Sequence, residues 1–264
     1  MNFYVCYRLF EINYTQYNTQ CMRRNALWNY GGKNWKLSRS KIDLFLECPR
    51  CFYIDNKLGI KRVSGPPFSI NVAVDYLLKQ EFDTYRVRGQ QHPLQQAYGI
   101  DARPIEHLNL NEWRRNFGGV KYLHNPTGLM VSGAIDDLWI NGNGEYIVVD
   151  YKATAKFEAV KTLDKGWHIG YKRQMEVYQW LLRKNGLRVA SVGYFVYCTG
   201  KMDKSAFDKH IDFDVHLIAY TGNDSWVESV LYKIKKCLEL EVAPAVCSQC
   251  EWCAYWNERM EAQV

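Results

Sequence analysis

Asp150 and Lys152 stand two residues apart at the end of an unbroken apolar run, Tyr146-Ile147-Val148-Val149. Strand alternation puts residues i and i+2 on one face of a sheet, so this carboxylate and this ammonium are neighbours. A buried carboxylate is costly unless it is paired or binds a metal. A second acid, Asp136 or Asp137, lies across the turn Asn141-Gly142-Asn143-Gly144. A three-residue turn pairs Asn141 with Glu145 and sets Asp136 opposite Asp150, whereas a four-residue turn selects Asp137. The residues alone leave both registers open. In either, two carboxylates and an ammonium converge at one sheet position. Hard oxygen ligands hold Mg2+ or Mn2+, and such a metal acidifies a bound water. The ammonium can orient that water or stabilise charge developing on phosphate. The chemistry this set suits is metal-dependent phosphodiester cleavage. A solvated surface ion pair is the plain alternative for an isolated D-x-K, and the apolar run and facing acid weigh against it.

Five of the nine cysteines fall in two short clusters, Cys48-Pro-Arg-Cys51 and Cys247-x-x-Cys250-x-x-Cys253. Thiolates at C-x-x-C spacing grip a metal from a tight turn, and two such pairs complete a tetrahedral site. Cys48, Cys51, Cys250 and Cys253 form the symmetrical zinc-like set. The remaining four, Cys6, Cys21, Cys198 and Cys237, read as scattered buried thiols. Nine cysteines, an odd number in a chain that reads as cytosolic, argue against disulfides, and their clustering points to metal.

The elements that must position these groups read as an α/β pattern. Ser40 with Asp43 has capping-box spacing, and Ile42, Leu44, Phe45 and Leu46 form a short apolar helix ended at Cys48-Pro49. Residues 59–67 read as a loop. Residues 71–85 suit an amphipathic helix with Val72, Val74, Leu77, Leu78 and Phe82 inward. A hairpin begins at Leu129. Residues 168–184 read as a helix burying Met175, Val177, Tyr178, Leu181 and Leu182. Strands follow over 189–198 and 210–220, then a helix from Ser225 to about 241, with Ser225 and Glu228 as a second capping box. Residues 1–25, polar and without period, read as an extension or the product of a start site placed early. Residues 26–264 read as one domain.

The 264-residue chain is 47% hydrophobic and 15% aromatic, ample for a core and far from a disordered composition. It lacks a membrane-length apolar run and a signal-peptide pattern, so an intracellular, cytoplasmic protein is expected. The net charge of +6 is compatible with a polyanionic partner. Lys152, Lys156, Lys161, Lys165, Lys172 and Arg173, against Glu158 and Asp164, interleave with Trp167, His168 and Tyr171. Cations for phosphates beside aromatics for bases are the make-up of a single-strand contact.

The combination G-x-x-D (Gly133, Asp136), D-Y-K (Asp150, Tyr151, Lys152) and Q-x-x-x-Y (Gln174, Tyr178) resembles the PD-(D/E)XK nuclease superfamily. It is most similar to the RecB-type branch, which includes CRISPR-associated RecB-like exonucleases. The opening SRSKIDLFLECPRCFY resembles the start of that branch's domain. The resemblance implies a restriction-endonuclease-like core, a central mixed sheet flanked by helices, with a Cys-ligated metal site joining the N- and C-terminal segments. It implies Asp136 and Asp150 as ligands of Mg2+ or Mn2+ with the Tyr151 carbonyl, and Lys152 acting on the attacking water. Gln174 and Tyr178, sharing a helix face, would help position phosphate or the lysine. The branch usually carries G-x-x-x-H upstream; here Asn71 to Asp75 stands in its place, with Asp75 as a candidate ligand. Some members hold a [4Fe–4S] cluster with one cysteine before the core and three after, a set that Cys48, Cys247, Cys250 and Cys253 would imitate. Zinc and iron–sulfur both remain open. The implied activity is a deoxyribonuclease acting on single-stranded DNA or free ends. The alternative is a catalytically degenerate nucleic-acid-binding protein or a structural subunit of a repair or defence complex.

Overall fold

The computed structural model describes residues 25–62, 65 and 69–262. The expectation for the first 25 residues therefore lies, Asn25 apart, outside the described residues, as do 63, 64, 66 and 67 of the loop expected over 59–67. After a 3-10 turn at Ala26–Trp28 come strand β1 (Leu37–Ser38) and helices α1 (Arg39–Glu47), α2 (Pro49–Asn56), α3 (Ser69–Arg88) and α4 (Pro93–Ala97). Next are β2 (Ala102–Pro104), α5 (Leu110–Trp113), β3 (Val120–His124), β4 (Leu129–Gly133), β5 (Asp137–Asn141) and β6 (Tyr146–Ala155). The chain ends with α6 (Ile169–Lys184), β7 (Val192–Gly200), β8 (Phe213–Thr221), α7 (Trp226–Glu239) and α8 (Glu251–Glu261). The fold is mixed α/β, and its Cα packing divides it into two compact units.

The larger unit, built from 37–43 and the described part of 66–232, holds both sheets. A five-stranded sheet runs β2-β5-β6-β7-β8, and a three-stranded sheet runs β1-β4-β3. Only the β6–β7 and β1–β4 pairs are parallel. The hairpin has the three-residue turn: the Asn141 amide donates to the Glu145 carbonyl at 3.1 Å, and Asp137 pairs with Val149. Continuing that register places Asp136 opposite Asp150. The expected hairpin start at Leu129 is displaced, because the chain leaves strand geometry at Ala134 and the Leu129 segment pairs in the other sheet.

Alternation along β6 sorts its side chains into two environments. Ile147, Val149 and Tyr151 join Leu78, Phe82, Trp139, Val196 and Leu217 in a core under α3. Fully burying such side chains contributes about 1.5–3 kcal/mol each. The opposite face meets α6, whose Met175, Val177, Tyr178, Leu181 and Leu182 are buried. On α3 the inward face carries Leu78 and Phe82, but Val72 and Leu77 are 66% and 63% exposed, contrary to the expected stripe. An α-helix with apolar residues on two sides satisfies the 3.6 period in more than one way.

The smaller unit comprises the described residues among 25–36, 44–65 and 233–262. Tyr53 Oη donates to the carbonyls of Leu240 and Glu241 at 3.0 and 3.1 Å, and Phe45 packs edge-on against Phe52. Cys48 caps α2 and Pro49 opens it, where the missing proline N–H costs nothing. Neither expected capping box forms. α1 already includes Ser40, and Glu228 bonds to His124 and Lys184 instead.

Candidate active site

Asp150 lies on the α6 face of β6 and is completely buried. Its Oδ1 accepts from Gln174 Nε2. Its Oδ2 meets the Lys152 ammonium and accepts no other contact from the described residues. Burial pushes the Asp150 carboxyl up to about 7, Lys152 works against that, and Asp136 adds to it. Gln174 closes the group: its Oε1 accepts from Lys152 Nζ at 3.4 Å, and its Nε2 also donates to Tyr178 Oη at 3.1 Å. One side chain thus orients the acid, the lysine and the phenol together. Burial, opposed in part by Arg39, raises the Tyr178 phenol, which keeps it protonated.

Asp136 faces the same position from the neighbouring strand end. Its Oδ2 accepts the Tyr151 amide at 2.9 Å. Within a strand a residue's N–H and C=O leave on the same edge, so the Tyr151 carbonyl points to that side too, beyond the last paired residue of β5. The Ala153 carbonyl, two residues on, accepts from Asn71 Nδ2 of α3 at 3.0 Å, in keeping with that direction. The Tyr151 side chain points into the core, its ring tilted against Phe82 at 5.7 Å between centres, and donates to Asp137 Oδ2 at 2.9 Å. Backbone and side chain of this one residue therefore serve different neighbourhoods.

Asp137, the rival acid of the four-residue register, is on the wrong face for chemistry. It is fully buried, bonded through Oδ1 to Arg86, to Arg114 at 2.5 Å and to the Leu138 amide at 2.8 Å. Trp139 Nε1 and Tyr151 Oη fill Oδ2. A carboxylate with every lone pair engaged is structural.

Asp75 reaches the group through Lys79, one turn along α3: Lys79 Nζ is 2.8 Å from Asp75 Oδ2 and 3.5 Å from Asp136 Oδ1. Burial and the nearby Asp136 charge raise the Asp75 carboxyl. A cleft of about 380 Å³ opens beside these groups, lined by Asp75, Lys152 and Gln174 with Arg39, Asn71 and Tyr171. Lys152 Nζ also lies 4.8 Å from the centre of the Tyr171 ring. The structure thus gathers Asp75, Asp136, Asp150, Lys152, Gln174 and Tyr178. Sequence reading missed Lys79 and Arg39, although Lys79 follows Asp75 at helical i+4 spacing. The motif glycine has a steric reason: a Cβ on Gly133 would sit 2.7 Å from Tyr178 Cε1.

Opposed carboxylates, one with an oxygen held only by an ammonium, beside a backbone carbonyl of β6 that lies past the end of β5 are a hard oxygen donor set that fits a divalent cation. Asp136, Asp150 and the Tyr151 carbonyl would hold it, with Asp75 within reach through the same cleft.

The stretch after β6 is mostly exposed: Lys156, Lys161 and Lys165 face solvent, and Lys156 Nζ lies 4.6 Å over the Trp167 ring. His168 departs from the expected contact surface. It is 1% exposed and accepts the Lys165 amide at 3.2 Å, so it shapes the loop instead.

Cys48, Cys51, Cys250 and Cys253 bring their sulfurs within 4.8 Å of one another, a possible metal site joining N- and C-terminal segments of the smaller unit. Cys247 packs beside this group without entering it.

The sequence profile of the PD-(D/E)XK nuclease superfamily matches residues 73–257, and the chain belongs to that superfamily. Its members are phosphodiester-hydrolysing nucleases that use divalent metals, so the fold described here is a metal-dependent nuclease fold with nucleic acid as its class of substrate. A solved structure described as "Crystal structure of SSO0001" is similar over 82% of this chain and 80% of that one, at 18% identity and a TM-score of 0.39. No curated protein matches the chain. Among the described residues no helix is long and apolar enough to cross a membrane.

Proposed function

We propose that this chain is a Mg2+- or Mn2+-dependent deoxyribonuclease of the RecB type, cleaving single-stranded DNA or DNA with free ends. The observation that carries the reading is the set of contacts joining Asp150, Lys152 and Gln174 midway along β6, with Asp136 bonded to the intervening Tyr151 amide. A divalent cation held by this site would supply phosphate polarisation and an acidified water. Asp136, Asp150 and the Tyr151 carbonyl would act by holding that cation, since carboxylates alone repel a phosphate. Lys152, held by Gln174, presents its ammonium to the attacking water or to charge developing on the phosphate. Lys156 with Trp167, and the exposed Lys161 and Lys165, support contact with the phosphate backbone and bases of the strand being cut.

One observation favours a second reading. Lys79 bridges Asp75 and Asp136, so an internal cation already occupies part of the acidic group. That arrangement suits a nucleic-acid-binding protein or complex subunit that has kept the fold without turnover.

Incubation of end-labelled single- and double-stranded DNA with Mg2+, Mn2+ or EDTA separates the two. Metal-dependent shortening of the label supports the nuclease, and the ladder reports end or internal cutting. Tight binding without shortening in either metal selects the second reading.

A further inference from the structure

We propose that Cys48, Cys51, Cys250 and Cys253 hold one tetrahedral Zn2+ rather than a [4Fe–4S] cluster, with Arg62 as its outer hydrogen-bond partner. The argument is independent of the nuclease reading. Cys48 Sγ lies 3.7 Å from Cys253 Sγ, and Cys51 Sγ lies 3.7 and 3.9 Å from those of Cys250 and Cys253. Zinc–thiolate bonds of about 2.3 Å in a regular tetrahedron separate the sulfurs by about 3.8 Å. A cubane cluster carries its four thiolates on the outside and spreads them to roughly 6 Å. With all four sulfurs inside 4.8 Å, there is room for one ion and none for a cubane.

The backbone around the sulfurs agrees with a small cation. Each pair lies at a helix start: Cys48 caps α2 and accepts the Cys51 amide on its sulfur at 3.4 Å, and Cys250 caps α8. Amides and helix N-termini directed at the thiolates offset the negative charge that four of them leave on a dication. Arg62 adds a full charge, with Nη2 at 3.4 Å from Cys250 Sγ and Nη1 at 2.9 Å from Glu47 Oε2. Such outer partners fix ligand orientation and hold the metal more tightly. Disulfides do not explain the geometry, since a bonded pair lies near 2.05 Å and all four thiols are free. Zinc here would tie residues 48–51 to 250–253 and contribute directly to folding of the smaller unit.

The test is elemental analysis and the visible spectrum of the full-length chain purified without oxygen, then of four variants. One zinc per chain, no iron, no visible chromophore, and tetrathiolate d–d bands on exchange to Co2+ are expected. Cys51→Ser and Cys253→Ser should lose the zinc, and Cys247→Ser should keep it. Arg62→Gln should keep it but release it to a chelator about 10- to 100-fold faster. Stoichiometric iron with labile sulfide, a metal-free chain, or metal lost in Cys247→Ser but kept in Cys51→Ser would each overturn the proposal. Because none of these readouts uses DNA cleavage, they stand whatever the nuclease assay returns.

Discussion

Asp136 stands opposite Asp150 across the β5–β6 hairpin, with its Oδ2 on the Tyr151 amide at 2.9 Å. The relation follows from the three-residue glycine turn, which sets the register for both strands. One residue of slip would turn Asp150 to the other face and bring Asp137 into its place. Asp137 occupies instead a separate cage of two arginines, an indole and a phenol.

That cage gives the first prediction. Asp137→Ala removes the buried carboxylate that Arg86 and Arg114 share, leaving them only the more exposed carboxylate of Asp83, and is expected to cost about 3–5 kcal/mol. Urea unfolding measures it, as a lower midpoint at unchanged slope. A loss below about 1 kcal/mol would mean that the cage relaxes into solvent.

Gly133 gives the second. An added methyl meets Tyr178 Cε1 at 2.7 Å and Leu181 Cδ1 at 3.2 Å. Gly133→Ala should therefore cost about 1–3 kcal/mol by overpacking. Combined with Tyr178→Ala it should cost less than the sum of the two single changes. Strict additivity would place the clash elsewhere.

Glu228 gives the third, a pH dependence of stability. Burial acts to raise its carboxyl, but hydrogen bonds from Lys184 and His124 outweigh that and hold it below its ordinary 4.5. A carboxyl lowered on folding contributes stability that is present above the unfolded value and lost as pH falls through the folded one. The advantage of the wild type over Glu228→Gln should thus be full at neutral pH and shrink on acidification below 4.5. Melting temperatures of both across that range test it, and a gap constant down to about pH 3 would contradict it.

Gln174 gives the fourth. As the residue joining Asp150, Lys152 and Tyr178, it acts by positioning. Gln174→Ala should lower kcat about 10²-fold with KM for DNA nearly unchanged, and Gln174→Glu should fail to rescue because it brings a third carboxylate to Asp150. A rise in KM alone would make it a substrate-binding residue.

Much of this arrangement was legible from the chain. Val148-Val149-Asp150-Tyr151-Lys152 encodes its own two faces by alternation, and the Asn-Gly turn limits the register to two choices. The three-residue turn makes that choice, while Arg86 and Arg114, which hold Asp137 in the core, lie far from it in sequence and give no local signal. Periodicity placed α3 correctly but not its inner face, because Val72 and Leu77 offer a second apolar stripe. The break at Ala134–Asp136, which sends Leu129–Gly133 into another sheet, has no proline and no turn pair to announce it. Lys79 and Arg39 were passed over because a cation among acids reads as a surface ion pair until the cleft beside it is seen.

The most direct test of the central claim is the single-turnover rate of DNA cleavage by Lys152→Ala, measured in Mn2+ beside the wild type. Mn2+ affinity and melting temperature are followed in the same samples. Chemistry at Asp150–Lys152 of β6 predicts a rate at least about 10²-fold lower, with Mn2+ still bound and the fold intact. An unchanged rate in the variant, or a folded wild type that binds Mn2+ and DNA but cuts nothing, would contradict it.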